Sequence, residues 1–160
     1  MLTTTAIATG IAVSGVGTKV CYEAISMTCS KTIDILTHFA TDSHPGLEQF
    51  NTLLLECDLK VKIVKIQQLV NEFHLSEEAG HVFQTSVKMS ICDVDSSIQM
   101  INEILTHAKQ AKEQHETLYF NRWRKLNCGY LIRDLKAANQ ILNQRFADLE
   151  KILVITRYFN

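Results

Sequence analysis

The residues Gly15-Val16-Gly17-Thr18-Lys19 resemble a phosphate-cradling loop. Such a loop needs Gly, four residues, then Gly-Lys-Ser/Thr, placed after a buried strand. Gly10 and Gly15 have the right gap, but Val16 stands where the lysine must be. No strand–helix–strand pattern surrounds it, and a phosphate there would meet no cation. Glu78-x-x-His81 has the spacing that puts a carboxylate and an imidazole on one helix face. Di-iron bundles use two such pairs and two further glutamates. Here the nearest second pair, Glu103 and His107, is four apart. His38, His44, His74, His81, His107 and His115 form no HxxxH or HExxH grouping. No Gly-x-Ser-x-Gly elbow marks a serine nucleophile. The reading is no catalytic residue, no metal, no cofactor, and a protein that is not an enzyme.

Cys21, Cys29, Cys57, Cys92 and Cys128 are odd in number and lack a CxxC pair. That usage favours free thiols in a reducing, intracellular compartment. Four of the five sit among apolar residues, where cysteine behaves as a small hydrophobe.

The densest chemistry lies at 115–125: His115, Tyr119, Phe120, Arg122, Trp123, Arg124 and Lys125. Cations among aromatics can stack on nucleobases. They can equally stack arginine on tryptophan at a helix junction. Residues 119–136 carry a local surplus of four positive charges, and residues 1–58 an opposite surplus of four. Pairing of these regions, within a chain or between neighbours, is the plainer expectation. The whole chain carries a net charge of −1, which excludes a strongly basic nucleic-acid binder. The expected partner is therefore a protein or a second copy, and nucleic acid is not expected. Tyr119, Phe120, Arg122, Trp123 and Arg124 are the candidate contact residues.

These residues must be positioned by helices. The chain has 160 residues, one Pro and six Gly, too few turn residues for an all-β protein. Leu59, Ile63, Ile66, Val70 and Phe73 form one apolar stripe, with Lys60, Lys62 and Lys65 on its solvated side. Val94, Ile98, Ile101, Leu105, Ala108, Lys112, His115 and Tyr119 step 4, 3, 4, 3, the spacing of a coiled-coil seam. Lys112 and His115 make the last turns of that seam polar. Leu131, Leu135, Ala138, Leu142, Arg145, Leu149 and Ile152 repeat the rule. Asn127-Cys128-Gly129 separates these two stripes, so their helices must fold back antiparallel.

The expected fold is all-α, an antiparallel up-and-down bundle of four to five helices in a single domain, 1–160. Helices near 45–73, 76–92, 94–126 and 129–156 form its body, 43–157. Ser43 is expected to cap the first, with Pro45 in its first turn. Ser76-Glu77-Glu78 reads as a helix start, and a break is expected at 93–96. Residues 1–41 add one or two helices with a break near Gly17. The second would turn Val20, Ala24, Met27, Ile35 and Phe39 inward.

Ala6, Gly10, Ser14 and Thr18 recur every four residues, a small-residue face that lets another backbone approach. Gly10 and Ser14 join the candidate contact residues. The alternative function is a membrane-acting bundle whose residues 1–18 insert. That stretch lacks charged side chains, but only nine of its residues are apolar. A spanning helix wants about 20 mainly apolar residues.

His115-x-x-x-Tyr119-Phe120-x-x-Trp123-Arg124, with Leu59-Lys60-Val61-Lys62-Ile63 before it and Gln144-Arg145-Phe146 after it, resembles small helical proteins of unassigned function from large double-stranded DNA viruses. The likeness spans roughly 44–153. It implies a virion or host-interaction protein, placed in virion or host cytoplasm, and supplies no functional residues. The uncharged N-terminal segment is similar to HeLo-like bundles, whose first helix can enter membranes. On that likeness the chain is expected to be an isolated bundle of that kind, without their downstream kinase or NTPase domain.

Overall fold

The computed structural model describes residues 15–42, 44–118 and 125–158. They form an all-α bundle of five α-helices: α1 (Gly15–Ala40), α2 (Glu48–Glu56), α3 (Leu59–Glu78), α4 (Thr85–Thr117) and α5 (Gly129–Tyr158). A 3₁₀ turn, Pro45–Leu47, precedes α2.

The stripes on α3 and α4 fall where the periodicity puts them. All five residues of the α3 stripe are buried, as are Val94, Ile98, Ile101, Leu105 and Ala108. On α5, Leu131, Leu135, Ala138, Leu142 and Leu149 are buried, with Ile152 packed against the same core. The α4 seam starts earlier than the sequence suggested, since Val87 and Ile91 continue it upstream. The expected break at 93–96 is absent, since α4 runs unbroken through it. Ser96 and Ser97 donate their hydroxyls to the carbonyls of Cys92 and Asp93, four residues back.

Other boundaries also differ. The expected 45–73 helix is divided at Cys57 and Asp58. Asp58 takes φ 50°, ψ 37°, a left-handed turn that Asp tolerates better than most residues. Ser76-Glu77-Glu78 ends α3 rather than starting a helix. Gly80, at φ 93°, supplies the left-handed residue of a Schellman stop. Its N–H donates to the Glu77 carbonyl, and that of His81 to Ser76. The helix expected to reach residue 126 stops at Thr117.

The inward face of α1 is also corrected. Tyr22, Ile25, Cys29, Thr32, Leu36 and Phe39 are buried, spaced 3, 4, 3, 4, 3. Met27 is 59% exposed and Ala24 is exposed, while Phe39 is buried and Ile35 partly so; the Val20 side chain, also expected inward, lies outside those described. Buried Cys29 and Thr32 hold positions that a search for aliphatic types passes over. Thr32 is accommodated because its hydroxyl donates to the Thr28 carbonyl at 2.8 Å. Gly17 lies inside α1, not at a break.

Side-chain pairs fix how the helices lie. Tyr22 meets His74 and Gln67 donates to Ser30, so α1 and α3 run antiparallel. Arg145 donates to the Asp93 carbonyl and Ser97 hydroxyl at 2.8 and 3.0 Å, the antiparallel return of α5 along α4. Asn102 donates to Thr32 and Lys112 to Asp42, each pair 70 residues apart. That constant offset makes α1 and α4 parallel neighbours, although chain direction alternates from one long helix to the next. The consecutive helices α3 and α4 meet around their linker, where Phe73 packs edge-on to Phe83 and Lys88 pairs with Glu77. Lys62 spans from α3 to Asn139 on α5.

Candidate functional site

One end of the bundle gathers polar side chains from several elements. It lies where α1 ends, α4 ends and α5 begins. The polar end of the α4 seam finds its complement there. Lys112 pairs with Asp42, whose side chain is 6% exposed against 16% for the lysine. Burial alone would raise the Asp42 carboxyl. The Lys112 hydrogen bond and charge, the His44 N–H and the His38 charge outweigh it and hold the carboxyl below its usual value. The same bond to Asp42 raises Lys112. Asn51 of α2 donates to the Asp42 carbonyl at 3.0 Å, tying a third element to the pair.

The next turn of the seam holds His115, which is buried and packs edge-on to His44 with ring centroids 5.4 Å apart. His44 caps the 3₁₀ turn: its Nδ1 accepts the Gly46 N–H at 3.0 Å. Its own N–H donates to Asp42 Oδ1 at 2.9 Å. The cap is therefore His44; Ser43, the expected cap, lies outside the described residues. Pro45 holds the first position of the turn, as its fixed φ favours. A Cβ on Gly46 would sit 2.7 Å from Leu126 Cβ, so glycine is what lets the turn approach the chain leading into α5.

Between these parts lies an open groove of about 840 Å³, walled by His44, Glu48, His115, Glu116, Lys125 and Cys128, among others. Its rim carries both charge signs. Asn127 accepts the Gly129 N–H at 3.1 Å, satisfying a donor at the α5 N-terminus. Burial pushes the Cys128 thiol up, keeping it protonated.

Glu116 and Lys125 in the groove wall flank the expected contact segment along the sequence. Tyr119, Phe120, Arg122, Trp123 and Arg124 lie outside the described residues, as do Gly10 and Ser14. Their flanks are described: Leu118 is 46% exposed, Lys125 is exposed and Leu126 packs against the core. Asp42, His44, Lys112 and His115 were not singled out as a site from sequence. The available signal was a lysine and a histidine at seam positions, which implies a buried complement elsewhere in the chain.

The remaining candidates for chemistry separate. Glu78 ends α3 and His81 is exposed in the linker, so the pair does not share a helix face. Glu103 and His107 are both exposed on α4. Among the described residues, no three His, Cys, Asp or Glu side chains converge as metal ligands. Cys29, Cys57 and Cys128 carry free thiols and, like Cys92, are buried or half-buried. Burial, with the charge of Asp95, pushes Cys29 up to about 12. Among the described residues, no helix is long and apolar enough to cross a membrane. The alternative of membrane insertion by residues 1–18 gains no support from α1, and residues 1–14 lie outside those described.

The fold thus defines an all-α bundle with a polar junction at one end. In an alignment of 125 positions that covers 64% of the chain, it is 26% identical to an uncharacterised protein of Acanthamoeba polyphaga mimivirus. The match covers 61% of that protein, so the chain spans about three fifths of the relative's length. No family model and no solved structure matches the chain. The likeness to viral proteins of unassigned function is carried by this relative, and the HeLo-like likeness has no counterpart in these comparisons.

Proposed function

We propose that the chain works by contact, as a helical structural or protein-interaction bundle, and that the open end at 44–49 and 125–132 is its contact surface. The observation carrying this reading is the contrast between seam and groove. The long stripes of α3, α4 and α5 are buried in the chain's own core, while the groove stays open with Lys125 and two carboxylates in its wall. A patch holding Lys125 beside Glu48 and Glu116 can be self-complementary, as a two-fold contact between copies requires. The surplus of positive charge at 119–136 and of negative charge at 1–58 supports the same pairing. The viral relative and the odd cysteine count support a role in a virion or in host contact, inside a reducing compartment.

Sedimentation velocity over a range of protein concentrations tests this. The wild-type chain is expected to self-associate. Lys125→Glu and Trp123→Ala are expected to weaken association at least about tenfold, the size of a modest hot-spot loss, without a change in melting temperature. A wild-type chain that stays monomeric, or variants that associate like it, would overturn the reading.

A further inference from the structure

We infer that His44 makes the groove wall an acid-sensitive latch. The argument rests on one atom. Nδ1 of His44 accepts the Gly46 N–H, so it must be unprotonated in this structure. Protonation turns that nitrogen from acceptor to donor. Two N–H groups would then face each other across 3.0 Å, and the cap is lost. The loss cannot be absorbed by a small shift of the turn. The His44 ring already lies against Gly46, whose Cα side abuts Leu126. Leu47, fully buried, is held by the same turn through its N–H to the His44 carbonyl at 2.9 Å.

The charged surroundings decide how readily the proton arrives, not what it breaks. The charged and titratable groups around the turn are Asp42 at the α1 end, Glu48 on α2 and Glu116 on α4. Lys112 and His115 on α4, Lys125 in the linker and His38 on α1 complete the set. On the α5 side the groove wall offers Cys128, a protonated thiol. Whatever their balance, the charged form of His44 cannot keep the Gly46 bond. The Asp42–Lys112 pair stays intact through the histidine range because the carboxyl is held below its usual value. Acid therefore releases the 44–47 turn from Leu126 and leaves the helix junction behind it closed. The latch needs no partner and stands apart from the contact role.

Amide exchange at Gly46, read by NMR on the full chain, tests the latch. Going from about pH 7.5 to about pH 5.5, across the ordinary imidazole range, protection beyond the intrinsic pH effect should fall about tenfold. His44→Asn keeps a side-chain acceptor for the same N–H but does not titrate, and its protection should stay flat. A flat wild type, or an equal loss in H44N, overturns the proposal. The ¹⁵N shift of His44 Nδ1 in the wild type gives a second reading should H44N not fold. It must titrate in step with Gly46 exchange, and a mismatch also overturns the latch.

Discussion

The α4 seam has two halves that solve the same packing problem differently. From Ile98 to Ala108 it is apolar and fully buried. From Lys112 to His115 it is polar, and each group meets a specific complement, Asp42 or His44. Apolar contacts stabilise through area removed from water and tolerate several registers. A buried ion pair is poorer as a source of stability, since both ions lose water. What it fixes here is the alignment of parallel α1 and α4, which the Asn102–Thr32 bond repeats at the same offset. The apolar half thus holds the bundle together, and the polar half sets where its end lies.

The sharpest way to break this contrast is to weaken each half in turn. Leu105→Ala should cost about 3 kcal/mol in urea unfolding, from lost transfer and a residual cavity. A loss under about 1 kcal/mol would mean the seam is looser than its burial indicates. Lys112→Met should cost about 2 kcal/mol, less than a fully buried pair because the lysine retains some exposure. The double variant Asp42→Asn, Lys112→Met should recover most of that loss, because no lone carboxylate remains. Failure to recover would show that the pair contributes net stability rather than alignment.

A smaller effect separates the two carboxylates that α1 and α4 bury. Asp42 is held low, so its contribution is present above the unfolded value, about 3.9, and is lost as pH falls through the lower folded value. Asp95 is the reverse. Burial raises it despite the bonds from Gln99 and Thr28, so its charge destabilises the fold at neutral pH. That penalty fades as pH falls through its raised folded value. Asp95→Asn should therefore raise the melting temperature at neutral pH and lose this advantage toward the unfolded aspartate value. A gain that does not change with pH would contradict the account of Asp95.

Much of the bundle was legible in the sequence, for reasons particular residues show. The α3 and α5 stripes consist mainly of Leu, Ile, Val, Ala and Phe, so periodicity alone finds them. The α1 stripe mixes Tyr22, Cys29 and Thr32 with aliphatics, and its helix face was misjudged by the rotation separating Met27 from Ile25. Helix ends were harder to place. Residues 93–96 read as a break, but α4 runs through them, with the Ser96 hydroxyl turned back onto the preceding turn. Gly80 was a stop signal that the acids before it obscured. The junction was half legible: Lys112 and His115 were visible on the seam, but Asp42 and His44 join them only through the tertiary alignment of α1 with α4. No spacing in one chain encodes a contact between residues 70 apart.

The most direct measurement is amide exchange on the full chain at low and at high protein concentration, with the pH fixed above the histidine range. The account predicts that protection rises with concentration at 44–49 and 125–132, while the solvated face of α3 around Lys60 and Lys65 is unchanged. Protection gained along α3, or nowhere, would contradict the assignment of the groove end as the contact surface.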